Sequence, residues 1–199
     1  MNVSPFIEYT LSDLRGLVAG TDGLESEVIT RFLERKDAFF DELLALAVSD
    51  DTRPYGRRVL LDSEVLEVMV ACWTPGVPCA PHDHGGSVGA VRVLQGRAHH
   101  QRWAIADGRI IQTHAESVEA GGVMLCGADI IHSMGDAGGE LPLVTLHMYI
   151  AGIDHMVVYD TESEETLVVE GSCGAWVPHD QPEMIRRRRA GYHAPDGVR

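Results

Sequence analysis

Up to residue 50 the apolar positions recur at helical spacing. Leu11, Leu14 and Val18 make one stripe, Val28, Ile29, Phe32 and Leu33 a second, and Phe39, Phe40, Leu43, Leu44 and Ala47 a third. Side chains three and four apart lie above one another on a helix, so each stripe gives one helix a face to bury. The pattern predicts three short helices of packing function only, the first opened by a capping box, Thr10-Leu11-Ser12-Asp13, with Asp in place of Glu. Ser49-Asp50-Asp51-Thr52-Arg53-Pro54 concentrates turn formers and closes the helical part.

From Tyr55 the period changes. Apolar runs at 59–61, 65–73, 88–94, 98–104, 110–113, 122–125, 131–134, 144–149 and 155–159 are separated by Gly, Pro and Asp, and 168–170 adds an edge. Many short strands with turn signals between them predict an antiparallel sandwich or barrel. The stretch from Gly174 lacks this pattern and reads as a loose tail, with Arg186 to Arg189 as a solvated or inter-subunit arginine cluster.

Composition narrows the class. A chain of 199 residues is long enough to bury a core and reads as one domain. A net charge of −14 argues against general affinity for nucleic acid, and an anionic substrate would need a local basic group. No apolar run is long enough to cross a membrane, and the N-terminus has no secretory pattern. Cys72, Cys79, Cys126 and Cys173 show neither CxxC nor disulfide-framework spacing, which fits a reducing cytoplasm.

The chemistry concentrates in Pro81-His82-Asp83-His84 and in Ile131-His132-Ser133. Alternation along a strand sends His82 and His84 to one face and Asp83 to the other. Two imidazoles side by side need one distant partner, and His132 supplies it. The glycine frame around them runs Gly76, Gly89 and Gly96 in the first block and Gly121 and Gly127 in the second, followed by Asp129 and Asp136. These blocks resemble the paired motifs of the cupin superfamily. The resemblance implies a cupin-type antiparallel β-barrel, jelly-roll-like, mainly β, with short N-terminal helices. The whole chain would be a single cupin domain over 1–199, with a helical segment at 1–50, the barrel at 55–170 and the tail at 174–199.

The cupin pattern usually places a glutamate ligand where this chain has Gly89. The expected metal site is therefore three neutral histidines, His82, His84 and His132, with no carboxylate. Imidazole suits Fe, Zn, Cu and Ni alike, so the donors alone leave the metal open.

A narrower set of residues resembles the thiol dioxygenases, specifically cysteine dioxygenase. It comprises Tyr55-x-Arg57, Cys72-Trp73, the His82–His84 block, Val93-Leu94-Gln95-Gly96, His132 and Val144-Thr145-Leu146-His147-Met148-Tyr149. The resemblance implies mononuclear Fe(II) as cofactor, and a small thiol and O2 as reactants. The product would be a sulfinate, formed when both oxygen atoms reach sulfur. It places Arg57, with Tyr55, on the substrate carboxylate, since a guanidinium offers a planar two-donor fork. It makes Thr145, His147 and Tyr149 a relay that ends at the reacting centre, with Thr145 in place of serine. Glutamine commonly stands at the Arg57 position in 3-mercaptopropionate dioxygenases, so arginine favours L-cysteine. In mammalian-type relatives a cysteine at the Gly89 position crosslinks to the tyrosine; Gly89 leaves Tyr149 unmodified. Ile150-Ala151-Gly152 replaces the Ser-Pro-Pro that follows the tyrosine there, so the local loop differs.

The remaining polar residues read as structural. Cys79 is a buried thiol bordering the pocket, Trp73 and Met148 are pocket or core wall, and Asp83 faces outward. His99, His100 and His114 have no ligand-like spacing. Rival readings are a dioxygenase of another thiol carboxylate, a non-catalytic metal-loaded cupin, and a zinc or nickel cupin isomerase or hydrolase. The oligomeric state stays open.

Overall fold

A computed structural model describes residues 3–21 and 23–194. The helical stripes become α1 (Pro5–Ala19), α2 (Glu25–Leu33) and α3 (Ala38–Leu44). Helix α1 starts earlier than the capping box predicts: Ser4 is its cap, accepting from the backbone N–H of Ile7 at 3.3 Å, and Pro5 occupies the first turn. Proline belongs there, because its missing N–H is one the helix start could not satisfy anyway. Thr10 lies inside the helix instead, donating to the Phe6 carbonyl.

The strands are β1 (Tyr55–Leu61), β2 (Leu66–Trp73), β3 (His82–Asp83), β4 (Val88–Gln95), β5 (Arg97–Ala106), β6 (Arg109–Glu119), β7 (Val123–Cys126), β8 (Ile131–Asp136), β9 (Val144–Ile150), β10 (His155–Asp160), β11 (Glu165–Glu170) and β12 (Ile185–Ala190). All their pairings are antiparallel. They form a five-stranded sheet in the order β1-β2-β9-β4-β7 and a seven-stranded sheet in the order β12-β11-β10-β3-β8-β5-β6. This is the mainly β, jelly-roll-like arrangement the sequence predicts, with the three helices preceding it.

Period-2 alternation sorts the side chains of the smaller sheet into two cores. Leu66, Val68 and Val70 of β2, with Val144, Leu146 and Met148 of β9, face the helices and pack on Leu14, Leu33, Phe39 and Leu43. Fully burying each such side chain contributes about 1.5–3 kcal/mol, so this face alone anchors the helices. Met148 therefore belongs to the helix-side core. Met69, Ala71 and Trp73 of β2 turn the other way, into the space between the sheets, as does Tyr149 of β9. Buried Arg92 of β4 ties the layers together by donating to the carbonyls of Leu33 and Arg35 at the C-terminal end of α2, with its guanidinium 4.1 Å from the Phe40 ring.

The tail departs from expectation. A 3-10 turn at Pro182–Met184 leads into β12, which pairs along β11 at the edge of the larger sheet. Arg186 and Arg188 stand on this strand and pair with Asp154, Glu170 and Glu165. Exposed pairs of this kind add little stability, but charge along an edge discourages pairing with another chain. Residues 195–199 of the predicted tail lie outside the described residues.

Candidate metal centre

Strand β3 is only two residues long, yet it holds the site. It sits between β10 and β8, with His82 opposite His132 across the β3/β8 ladder. His84 follows immediately, before a turn in which Gly85 and Gly86 take positive φ, a conformation glycine adopts without steric cost. Asp83 points away from the histidines, as alternation requires, but it is buried rather than exposed. It accepts from the Gly85 N–H at 2.9 Å and from the Tyr159 hydroxyl at 3.3 Å, so it fixes the turn beneath His84. Burial raises its pKa to about 6.

His82, His84 and His132 offer ring nitrogens within 4.8 Å of one another, and all three are buried. Their hydrogen bonds define which nitrogens face inward. The Ala80 carbonyl can only accept, so His82 Nδ1, 2.9 Å away, carries the proton and Nε2 is bare. His132 Nδ1 lies 3.1 Å from Nε2 of His100, a buried histidine. His84 Nδ1 has no partner, while its Nε2 lies 3.4 Å from His132 Nε2. Burial lowers the pKa of His82 to about 4 and those of His84 and His132 well below the ordinary value, so the rings are neutral. Neutral, converging imidazole nitrogens are the donor set a borderline metal ion takes.

The opposite wall comes from the smaller sheet. Thr145, His147 and Tyr149 alternate on the inner face of β9. Trp73 Nε1–H donates to Thr145 Oγ1 at 2.8 Å, Thr145 Oγ1 lies 2.8 Å from His147 Nε2, and His147 Nδ1 lies 3.0 Å from the Tyr149 hydroxyl. Indole can only donate, so Thr145 Oγ1 accepts from Trp73, and the His147 tautomer sets which way the two remaining bonds run. Burial lowers His147 to about 3 and holds the Tyr149 pKa well above its ordinary value. Tyr149 is thus a neutral phenol, and its ring lies 4.6 Å from that of His84. Trp73 is more than pocket wall: it begins the series, and only its partner in space reveals that.

A cavity of about 20 Å³ lies between these walls, room for roughly one water. Tyr55 and Arg57 border it from β1, Cys79 from the approach to β3 and Glu67 from β2. Arg57 donates to the carbonyls of Gly171, at 3.3 Å, and Ser172. The Tyr55 hydroxyl accepts from the Ala175 N–H at 2.9 Å, and its ring lies between Trp73 and Trp176. The segment after β11 therefore closes the cavity. Glu67 accepts from the Ile153 N–H at 3.1 Å, and burial raises its pKa while Arg57 opposes that rise. The Cys79 thiol, pushed up to about 12 by burial, accepts from the Met134 N–H and is structural. A larger groove of about 750 Å³ runs along the far side of β3, beside Gly85, His155 and Arg187, and contains none of the three histidines.

Sequence reasoning missed three residues here. His100 and its partner Glu116, 3.0 Å from His100 Nδ1, lie 16 residues apart across a hairpin, and Glu67 has no motif at all. Only the β5/β6 register, which sets His100 opposite Glu116, could have signalled that pair. Gly89 lies across the ladder from Tyr149, and no carboxylate joins the histidine group among the described residues.

Comparison with known proteins gives structural neighbours of low identity. A conserved protein with a double-stranded β-helix domain from Klebsiella pneumoniae is 18% identical, with 59% of this chain and 95% of that one covered and a TM-score of 0.48. A Thermus thermophilus protein is also 18% identical over 59% of this chain and 96% of that one, TM-score 0.46. A cupin superfamily protein from Desulfitobacterium hafniense is 15% identical over 54% and 86%, TM-score 0.43. The family description "cysteine dioxygenase type I" matches residues 9–162, well over half of the chain, and takes in most of the first helix, the histidine cluster and the β9 series. The chain belongs to the cysteine dioxygenase type I family.

Proposed function

We propose that this protein is a thiol dioxygenase that uses mononuclear Fe(II), held by His82, His84 and His132, to convert the thiol of L-cysteine to cysteine sulfinate with O2. The observation that carries the reading is a three-histidine cluster with no carboxylate, facing a tyrosine at the end of a hydrogen-bond series. When bound, ferrous iron supplies a centre at which a thiolate and dioxygen meet; a neutral ligand set suits an anionic sulfur donor.

The protein's own groups divide the remaining work. Arg57 holds the substrate carboxylate. Its guanidinium now donates to the Gly171 and Ser172 carbonyls, and a carboxylate in their place makes stronger, charge-assisted bonds. The space left free is only about 20 Å³, which favours a small thiol. Tyr149 donates its hydroxyl proton toward charge developing at the reacting atoms, a preorganised donor in a buried site. His147 and Thr145 hold that hydroxyl in place, and Trp73 holds Thr145. Both atoms of O2 end on sulfur, and the thiol proton is released, so no external reductant is consumed.

The test is anaerobic loading with ferrous iron, followed by oxygen uptake and sulfinate formation across L-cysteine, 3-mercaptopropionate and mercaptosuccinate. The expected result is thiol-dependent uptake with stoichiometric sulfinate, fastest for L-cysteine. Comparable turnover of 3-mercaptopropionate removes the cysteine preference. No uptake by the fully iron-loaded protein sinks the dioxygenase reading.

A further inference from the structure

We propose that Glu116 and His100 are positioning residues that hold His132 in its Nδ1–H tautomer and so aim its bare Nε2 at the metal. The proposal rests on the three-histidine site being a metal site, and it concerns residues outside that set.

The argument is one of donors and acceptors. A neutral imidazole has one of each, and an ionised carboxylate only accepts. Glu116, half-exposed on the sheet's outermost strand, lies 3.0 Å from His100 Nδ1, and the hydrogen bond to His100 keeps its pKa below the ordinary glutamate value. His100 therefore donates from Nδ1, which leaves Nε2 as an acceptor. The group 3.1 Å away is His132 Nδ1, which must supply the proton. Each assignment forces the next, from the edge of the sheet to the centre.

The three histidines are held in three different ways. His82 is fixed by the Ala80 backbone carbonyl, and among the described residues His84 Nδ1 has no partner. His132 Nδ1 is held by the His100 ring. The strand register builds that contact: His100 on β5 faces Glu116 on β6, and β5 also pairs with β8, which carries His132. If His100 adopted the opposite tautomer, its Nε2–H would meet the Nδ1–H of His132. Relief would move the His132 proton to Nε2, the atom a metal needs. Outer partners of metal-binding histidines commonly act in this way; here a second histidine carries the effect inward from the carboxylate.

Two measurements on the full-length chain test this. Long-range 1H–15N spectra of the metal-free protein read the tautomers directly, and competition with a chelator reads cobalt(II) affinity. The expected wild-type pattern is Nδ1–H on both His100 and His132. His100→Phe, which keeps an aromatic ring but no ring nitrogen, and Glu116→Leu should each populate the Nε2–H form of His132 and weaken cobalt binding by about tenfold or more. Glu116→Gln, whose amide oxygen still accepts, should restore the tautomer and most of the affinity. A merely structural role for the pair lowers the melting temperature without moving either readout, and that result overturns the proposal. An Nε2–H form of His132 in the wild type overturns it as well, even if His100→Phe fails to fold. A wild-type chain that takes up no cobalt overturns the metal reading itself, and with it the purpose given to the pair; tight wild-type binding left unchanged in Glu116→Leu overturns the pair alone.

Discussion

Gly89 on β4 lies directly across the ladder from Tyr149 on β9, and the tyrosine ring fills the space that a side chain at position 89 would need. One missing Cβ thus has three consequences. No carboxylate can reach the histidines from this position, no thioether to Tyr149 can form there, and the ring is seated against backbone beside His84. Gly89→Ala should push Tyr149 out of place. Overpacking of this kind costs about 1–3 kcal/mol, and the series that orients the hydroxyl should fail with it. Chemical denaturation measures the first effect and turnover of the iron-loaded protein the second. Tyr149→Leu in the same background should recover part of the lost stability but none of the turnover, because the two positions are coupled by contact. An alanine variant with wild-type stability and turnover contradicts the seating.

Trp73→Phe separates packing from polarity. Phenylalanine keeps an aromatic ring beside Tyr55, now 4.7 Å from the Trp73 ring, but cannot donate to Thr145. The lost hydrogen bond costs about 1 kcal/mol of stability. Thr145 is then free to rotate, and turnover should fall while iron content holds. Metal analysis beside steady-state rates makes the distinction; equal loss of both assigns Trp73 to the metal shell instead.

How much of this was readable beforehand depends on where the partner of each residue lies in the chain. The β9 residues Thr145, His147 and Tyr149 share a face by alternation alone, so their grouping follows from spacing. The same alternation aims Asp83 away from His82 and His84, but it says nothing about what covers the far side, and Tyr159 turns that face into core. His100 reads as an ordinary strand histidine because its chemistry comes from Glu116 and His132, each on another strand. The tail failed for a related reason. Arg186 to Arg189 show no apolar alternation, yet an edge strand needs only one partner's backbone, and β11 supplies it. Thr10 misled locally, since Ser4 caps the helix and the threonine satisfies itself on Phe6.

Arg57→Gln should change two things at once. The guanidinium holds the Gly171 and Ser172 carbonyls and is the proposed carboxylate site, so one substitution loosens the closing segment and weakens substrate. Charge-assisted hydrogen bonds contribute about 1.5–3 kcal/mol, which corresponds to a KM roughly ten- to a hundredfold higher, with kcat less affected. Hydrogen exchange at Gly171, Ser172 and Ala175 should quicken in the same variant. Faster exchange with unchanged KM assigns Arg57 to the segment alone and moves the carboxylate site elsewhere.

Removing a histidine should cost the metal-free protein less than it costs the loaded one. In the metal-free state His132 Nε2 and His84 Nε2 share a long contact of 3.4 Å between two neutral rings, which stabilises little. His132→Ala leaves a cavity and gives up that contact and the one to His100. Metal binding stabilises only the folded state, by about 2.7 kcal/mol at a hundredfold excess over Kd, and all of that increment passes through the ligands. Thermal melts with and without cobalt(II) should show a large upward shift for the wild type and almost none for His132→Ala, His82→Ala or His84→Ala. A shift that survives loss of any one histidine places the ion elsewhere on the protein.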